Sequence, residues 1–266
     1  MNFLIDDTMF DGDLDRFISS IEKYGANYKV CSYVPFADID YYSYFPKDSC
    51  TVFFGCLNMA RDINRKCNWV PGTFYNHDNF KCSTYYAYWS DYLLNGNAIF
   101  LPWAMLKKKL YQNSKAFIRP DDGFKSFTGQ VISPTDESSI RYIGSRIQPE
   151  TLCLLSSTCK LDYEYRCFCY KNKILTCSQY RKNGELNVGR NKTLEDRICN
   201  QLQKTLDLIN WYPHDLYVVD VGLIGNAVEI IELNSFSCSG FYECDFDPIV
   251  EATIEYSLKE YKDIYG

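Results

Sequence analysis

The sequence predicts an α/β layer in its first hundred or so residues and an α+β arrangement beyond, and three observations carry that expectation. Apolar strand-like runs alternate with helical stripes up to about residue 110. Past that point the pattern changes to hairpins broken by single helices. Hydrophobic residues make up 46% of the 266, enough to build a sizeable core.

Phe3-Leu4-Ile5 is a short apolar strand. Asp13 stands where a cap opens a helix, with Leu14, Phe17, Ile18 and Ile21 in one stripe and Gly25 just past the end. Tyr28 to Val34 and Thr51 to Gly55 read as strands, the second an unbroken apolar run suited to a sheet covered on both faces. A helix with Leu57, Ala60 and Ile63 on one side follows. The next helix, from about Asn79 to Leu94, carries Tyr85, Tyr86, Tyr88, Trp89 and Tyr92, a second aromatic cluster after Tyr41, Tyr42 and Tyr44. Such clusters stack nucleobases or fill cores and subunit interfaces. A net charge of −6 argues against a broad nucleic-acid footprint, so core or interface is the expected use, and a homodimer would suit it. Ala98 to Leu101 is a short strand; Pro102 then starts a helix whose Lys107-Lys108-Lys109 end complements the helix dipole in solvent. The domain break is expected at Gln112-Asn113-Ser114, giving domains of 1–111 and 112–266.

Ala116 to Pro120 is a strand with Arg119 near its end, and Gln130-Val131-Ile132 resumes a strand after a polar loop. That loop holds Lys125 between Gly123 and Gly129. With Arg119 and open backbone N–H groups it suits the gripping of phosphate oxygens. Thr135 is expected to cap a helix reaching Ile147, and Leu152 to Leu155 is a short strand. Tyr163 to Tyr170 pairs with Ile174 to Tyr180 through Lys171-Asn172-Lys173. Alternation puts Glu164, Arg166, Phe168 and Tyr170 on one face, an unusual mix for a core strand; a surface ion pair is the plain alternative. Thr193 opens a helix with Leu194, Ile198, Leu202, Leu206 and Ile209 as its buried stripe. Asp247 and Pro248 open the last helix, through about Lys259.

The chemistry concentrates between those two helices. Val218-Val219-Asp220-Val221-Gly222 and Val228 to Ser235 are β-branched runs separated by glycines and Asn226, which reads as a hairpin. Asp220, Glu232 and Asn234 place hard oxygen ligands where the apolar pattern predicts burial. Glu232 and Asn234, two apart, share a strand face that Asp220 can reach across the hairpin. Converging oxygens of this kind suit magnesium with phosphates; two core strands with a polar end are the alternative. Zinc is poorly supplied, with two histidines and no C-x-x-C. Thirteen cysteines, an acidic start and no run of 18 apolar residues lead us to expect reduced thiols in a cytoplasm and no membrane span.

Taken in this order, residues 112 to 258 resemble an ATP-grasp domain. That family holds magnesium with an acidic residue on one strand and Glu-x-Asn on the next, the pattern of Asp220, Glu232 and Asn234. Ser235 to Gly240 resembles its substrate-side loop. Ala116 to Pro120 resembles its first phosphate-contacting strand, with Arg119 where a lysine is usual. Lys125 in the Gly123–Gly129 loop resembles the flexible cover of the triphosphate. Glu164-Tyr165-Arg166, Tyr180-Arg181 and Gly184 to Asn187 look like elements of the branch that ligates amino acids onto proteins and peptides. The adenine hinge falls around Leu152 to Ser156.

The resemblance implies two α+β subdomains clasping ATP, preceded by a small α/β domain. It implies ATP and Mg2+ as cofactors, and an ADP-forming ligase joining a carboxylate substrate to an amine acceptor through an acylphosphate. Asp220, Glu232 and Asn234 would hold metal; Arg119, Lys125, Leu154, Leu155 and Glu164 would contact nucleotide; Arg166, Arg181 and Lys125 would be catalytic. Small tyrosine- and cysteine-rich versions look most like ATP-grasp proteins of bacteriophages and large viruses, which would place this one in a host cytoplasm. The alternative implied is a degenerate scaffold acting as a nucleotide-binding adaptor or inhibitor.

Overall fold

The computed structural model of the chain describes residues 1–10, 12–111 and 115–266. Three sheets organise it. In the first, β1 (Asn2–Asp6), β2 (Asn27–Cys31), β3 (Cys50–Phe54) and β4 (Val70–Gly72) run parallel in the order β2-β1-β3-β4. Its central strands are continuous apolar runs because both faces are covered. Phe17 and Ile21 of α1 (Leu14–Lys23) pack with Phe3 and Ile5; Met59, Ala60 and Ile63 of α2 (Leu57–Lys66) share the opposite cluster with Leu4 and Phe53. The C-terminal helix returns to the first face, where its Ile249 and Val250 join Phe3 and Ile5.

After β4 comes α3 (Cys82–Trp89), whose Tyr85, Tyr86 and Trp89 are buried. The aromatic cluster thus serves the core, while exposed Tyr88 stacks on Trp211 at 4.4 Å.

The second sheet is antiparallel: β5 (Ile99–Pro102), β6 (Ala116–Pro120), β7 (Gln130–Ile132) and β8 (Leu152–Ser156) in the order β5-β8-β6-β7. α4 (Trp103–Leu110) and α5 (Glu137–Arg146) close its own core, where Leu106 and Ile143 meet Ile118 and Cys153. The expected break at Gln112-Asn113-Ser114 lies outside the described residues. Pairing of β5 with β8 carries this sheet back to Ile99.

The third sheet is also antiparallel, with β9 (Tyr163–Tyr170), β10 (Lys173–Lys182), β11 (Glu185–Gly189), β12 (Leu216–Ile224) and β13 (Ala227–Ser235) in the order β11-β10-β9-β12-β13. On one face, Tyr165, Cys167, Val219 and Val221 pack with Ile198, Leu202 and Leu206 of α6 (Lys192–Leu206). On the other, Phe168, Leu216 and Val218 meet Phe236, Phe241 and α7 (Phe246–Tyr265).

Four helix starts differ from the sequence reading, α3 beginning at Cys82 and not near Asn79. Asp136, not Thr135, caps α5, its carboxylate accepting from the Ser139 N–H; an oxygen one residue earlier is badly placed for that donor. Asn191, not Thr193, caps α6 by accepting from Leu194 N–H. α7 begins at Phe246 and continues past Lys259 to Tyr265, because nothing before Gly266 breaks the helix.

Candidate active site

A two-residue turn, Gly225-Asn226, joins β12 to β13, with Gly225 at a φ of +57° that suits glycine. At Gly222 a Cβ would lie 2.6 Å from Leu161 Cδ2, so the Leu161 side chain packs directly over the glycine. The register sets Asp220 directly opposite Arg166 on one side and Glu232 on the other. Beyond Asp220–Glu232 it shifts so that Val221 faces Ile230, leaving Ile231 without an opposite number. Glu232 therefore keeps Asp220's face while Ile230 turns to the apolar side.

Arg166 and Asp220 make a buried bidentate pair. Nε and Nη2 donate to Asp220 Oδ1 and Oδ2, both at 2.8 Å, and Nη1 donates to the Gly240 carbonyl at 3.1 Å. Tyr180 and Tyr242, stacked at 5.0 Å, lie under the guanidinium. Burial pushes the Asp220 carboxyl up and the Arg166 charge works against it. The surface ion pair considered for Glu164 and Arg166 is not what forms. Arg166 turns to Asp220, and Glu164 accepts from Tyr180 Oη at 2.8 Å, its own pKa raised by burial against that hydrogen bond.

Glu232 is balanced from another element. Arg119 Nη1 stands 2.6 Å from its Oε2 and Lys125 Nζ 3.5 Å from its Oε1. Burial opposes ionisation, but Lys125 and Arg119 outweigh it and hold the carboxyl well below the usual carboxylate range. Arg119 also donates to Tyr85 Oη at 3.3 Å. Asn234 links the two carboxylates, its Nδ2 donating to Asp220 Oδ2 at 2.9 Å and to Glu232 Oε1 at 3.1 Å. Among the described residues its buried Oδ1 has no donor.

That orphaned acceptor tests the expectation of a metal. A buried amide oxygen without a partner is costly and rare. Here it sits beside two carboxylates in a set of hard oxygens that suits Mg2+. Asp220 Oδ2 already accepts twice, from Arg166 Nη2 and Asn234 Nδ2, whereas Oδ1 accepts only from Arg166 Nε and keeps a lone pair for an ion. The residues fit the ion.

The remaining expected positions are spread more widely. Arg181 lies opposite Glu164 in the register but is exposed and donates to the Gly184 carbonyl at 3.2 Å, so it is not drawn to the carboxylates. Leu154, opposite Arg119 and Phe100, belongs to the cluster holding Tyr85 and Tyr165; Leu155 turns into the core of its own lobe. The loop after Asn234 is bolted to the parallel layer. Ser235 Oγ donates to the Phe74 carbonyl at 3.0 Å, and Ser237 Oγ accepts from Phe74 N–H at 2.8 Å. A small cavity between them is lined by Leu57, Tyr75, Phe80, Asn234, Ser235 and Ser239. Gly240 was expected in the substrate-side loop, though not as the acceptor for Arg166, and Tyr85 and Tyr242 were not expected at the site. Tyr85 carried the only signal, as one member of an aromatic cluster assigned to packing.

A family model for the ATP-grasp domain, that of the second family in its clade, matches residues 100–252, more than half of the chain. The chain belongs to the ATP-grasp family. Among curated proteins no sequence matches it. Its fold is similar to that of a RimK domain ATP-grasp protein from Sphaerobacter thermophilus, at 9% identity over 96% of this chain and 100% of that one, with a TM-score of 0.58. It is also similar to D-alanine–D-alanine ligase from Bacillus anthracis, at 11% identity over 99% of each chain and a TM-score of 0.59. A third similar structure is the ATP-grasp ligase PsnB complexed with minimal precursor, at 9% identity over 96% and 98%, TM-score 0.52. These likenesses reach beyond the family match to include the parallel layer, so the whole described ATP-grasp chain shares their fold.

Proposed function

We propose that the chain is an ADP-forming ligase that uses ATP to join a carboxylate to an amine. The observation that carries this reading is the meeting of two charge sets at one carboxylate: Glu232, beside Asp220 and the unpartnered Asn234 oxygen, faces Arg119 and Lys125 from the second sheet. Phosphoryl transfer asks a protein mainly for positioning and charge neutralisation, and this arrangement offers both without a nucleophilic side chain. Asp220, Glu232 and Asn234 would hold Mg2+, which supplies charge neutralisation at phosphate oxygens when bound. Arg119 and Lys125 would bind phosphate, and Glu164 and Leu154 would contact the nucleotide. Arg166, fixed by Asp220, Gly240 and two tyrosine rings, is placed to orient an anionic oxygen; Arg181 would join it only by moving from Gly184. The cavity under Ser235 and Ser239, walled by Leu57, Tyr75 and Phe80, offers the adjoining space for a carboxylate or amine substrate.

A thermal-shift titration with ATP and MgCl2, followed by ADP release with panels of amino acids, amines and peptides, tests the proposal. A melting temperature raised by several degrees at saturating nucleotide is expected from preferential binding to the folded state, together with ADP release that needs both a carboxylate and an amine. Binding without turnover under every pair would favour a nucleotide-binding adaptor; absence of any shift would sink the nucleotide site itself.

A further inference from the structure

The loop that carries Lys125 does not stand free. Phe124 lies near-parallel to the His77 imidazole, centroids 3.9 Å apart at 16°, and the Arg61 guanidinium sits over the same ring, also 3.9 Å from its centre. Two groups that close to one ring centre have to occupy opposite faces, so Phe124 is clamped between them. Among the described residues Arg61 has no carboxylate within ion-pair reach, which leaves the ring as its contact. The backbone next to the clamp is equally close: a Cβ at Gly123 would come 2.8 Å from the His77 carbonyl. Upstream, Asp121 accepts from Ser83 N–H at 2.6 Å and from Ser83 Oγ at 2.8 Å, while Phe127 downstream is buried in the core of the second sheet. Lys125 follows the clamp directly, at a φ of +53° that a lysine adopts only under constraint.

We propose that Phe124, gripped by Arg61 and His77 of the parallel layer and its following segment, is the positioning residue that sets Lys125 at the site. The phosphate-gripping loop is then closed by contacts from outside its own lobe. The proposal rests on the ligase reading for what Lys125 does there, but the clamp itself can be tested without it. Trypsin cleaves after lysine, and opening of the loop exposes the Lys125 bond. Phe124→Ala should raise cleavage after Lys125 roughly tenfold, the loss expected from ring stacking plus a cation–π contact, and Arg61→Ala, which removes only the cation–π contact, about threefold, with the melting temperature held in both. Phe124→Tyr should restore the wild-type rate. Unchanged cleavage in Phe124→Ala overturns the clamp.

The second arm measures Mg-ATP affinity by calorimetry. Phe124→Ala should weaken it severalfold, and the Phe124→Ala/Lys125→Ala double variant should be no weaker than Lys125→Ala alone. Additive losses would show that Phe124 acts on nucleotide by another route and would overturn the positioning role. Failure of the wild type to bind nucleotide would defeat the ligase reading, while proteolysis would still decide the clamp.

Discussion

Asp220 and Glu232 face each other on adjacent strands, yet their charges are balanced from different regions. Asp220 is answered within its own sheet by Arg166, two strand-borne side chains held bidentately in the interior. Glu232 is answered across the cleft, by Arg119 at the end of β6 and Lys125 on the loop after it. The first pair is part of the scaffold: neither member can be withdrawn without leaving a buried charge alone. The second is a contact between separately built lobes, and its cations can be shared with another anion. This division gives Asp220 a structural duty beside its place in the proposed metal set and leaves Glu232 to the chemistry, and three sets of substitutions test it in descending order of effect.

The largest effect is expected at the chemical carboxylate. Glu232→Gln keeps an oxygen to accept from Arg119 but removes the charge beside Asn234. ATP turnover should fall by about a thousandfold or more, the scale of losing a preorganised electrostatic group, while circular dichroism stays close to wild type and melting falls less than in Asp220→Ala, because the amide oxygen still accepts from the buried Arg119. Retained turnover would defeat the metal assignment, and a collapsed fold would show that the two carboxylates are not so divided.

At the structural carboxylate the expected loss is in the fold. Asp220→Ala leaves the Arg166 guanidinium buried without a counter-ion and should cost about 3–5 kcal/mol, read as a melting temperature lower by roughly 10 °C for a chain of this size. Replacing both partners, Arg166→Met with Asp220→Leu, should recover much of that stability because no unpaired charge remains, and should recover no turnover. If the double variant melts as low as the single one, the pair contributes more than charge balance.

The same division governs how much could be read from sequence. The hairpin was legible because β-branched runs fix strands, and oxygen residues two apart must share a face whatever surrounds them. Arg119 and Lys125 were visible as cations near a strand end and in a glycine-bounded loop, a pattern many hairpins share, and the family resemblance was what singled them out. Their partners were not visible. Tyr85 lay in a cluster whose packing role was the correct general reading, and nothing local marks one tyrosine as touching Arg119. The return of α7 to the first sheet joins the two ends of the chain, and single-sequence periodicity reports which face is apolar, not what covers it. Helix starts missed by one or two residues because Thr135 and Thr193 are reasonable caps; the neighbouring Asp136 and Asn191 simply present their oxygens to the free N–H groups.

The smallest expected effect separates the two cations on Glu232. Arg119 has 9% of its side chain exposed and Lys125 42%, so salt should screen the lysine far more. Lys125→Ala should change folding stability by no more than about 1 kcal/mol, as for other exposed ion pairs. Its effect on Mg-ATP affinity should be severalfold at about 50 mM NaCl and shrink toward nothing near 1 M, where the screening length falls to about 3 Å. The Arg119 contact, at 2.6 Å and shielded by Tyr85, should keep its effect across the same range. Calorimetric titrations of wild type, Lys125→Ala and Arg119→Ala at the two salt concentrations would decide this. Parallel salt dependence for both variants would mean that the cleft admits ions equally around them, and that strand and loop cations act as one patch instead of a fixed anchor and a movable partner.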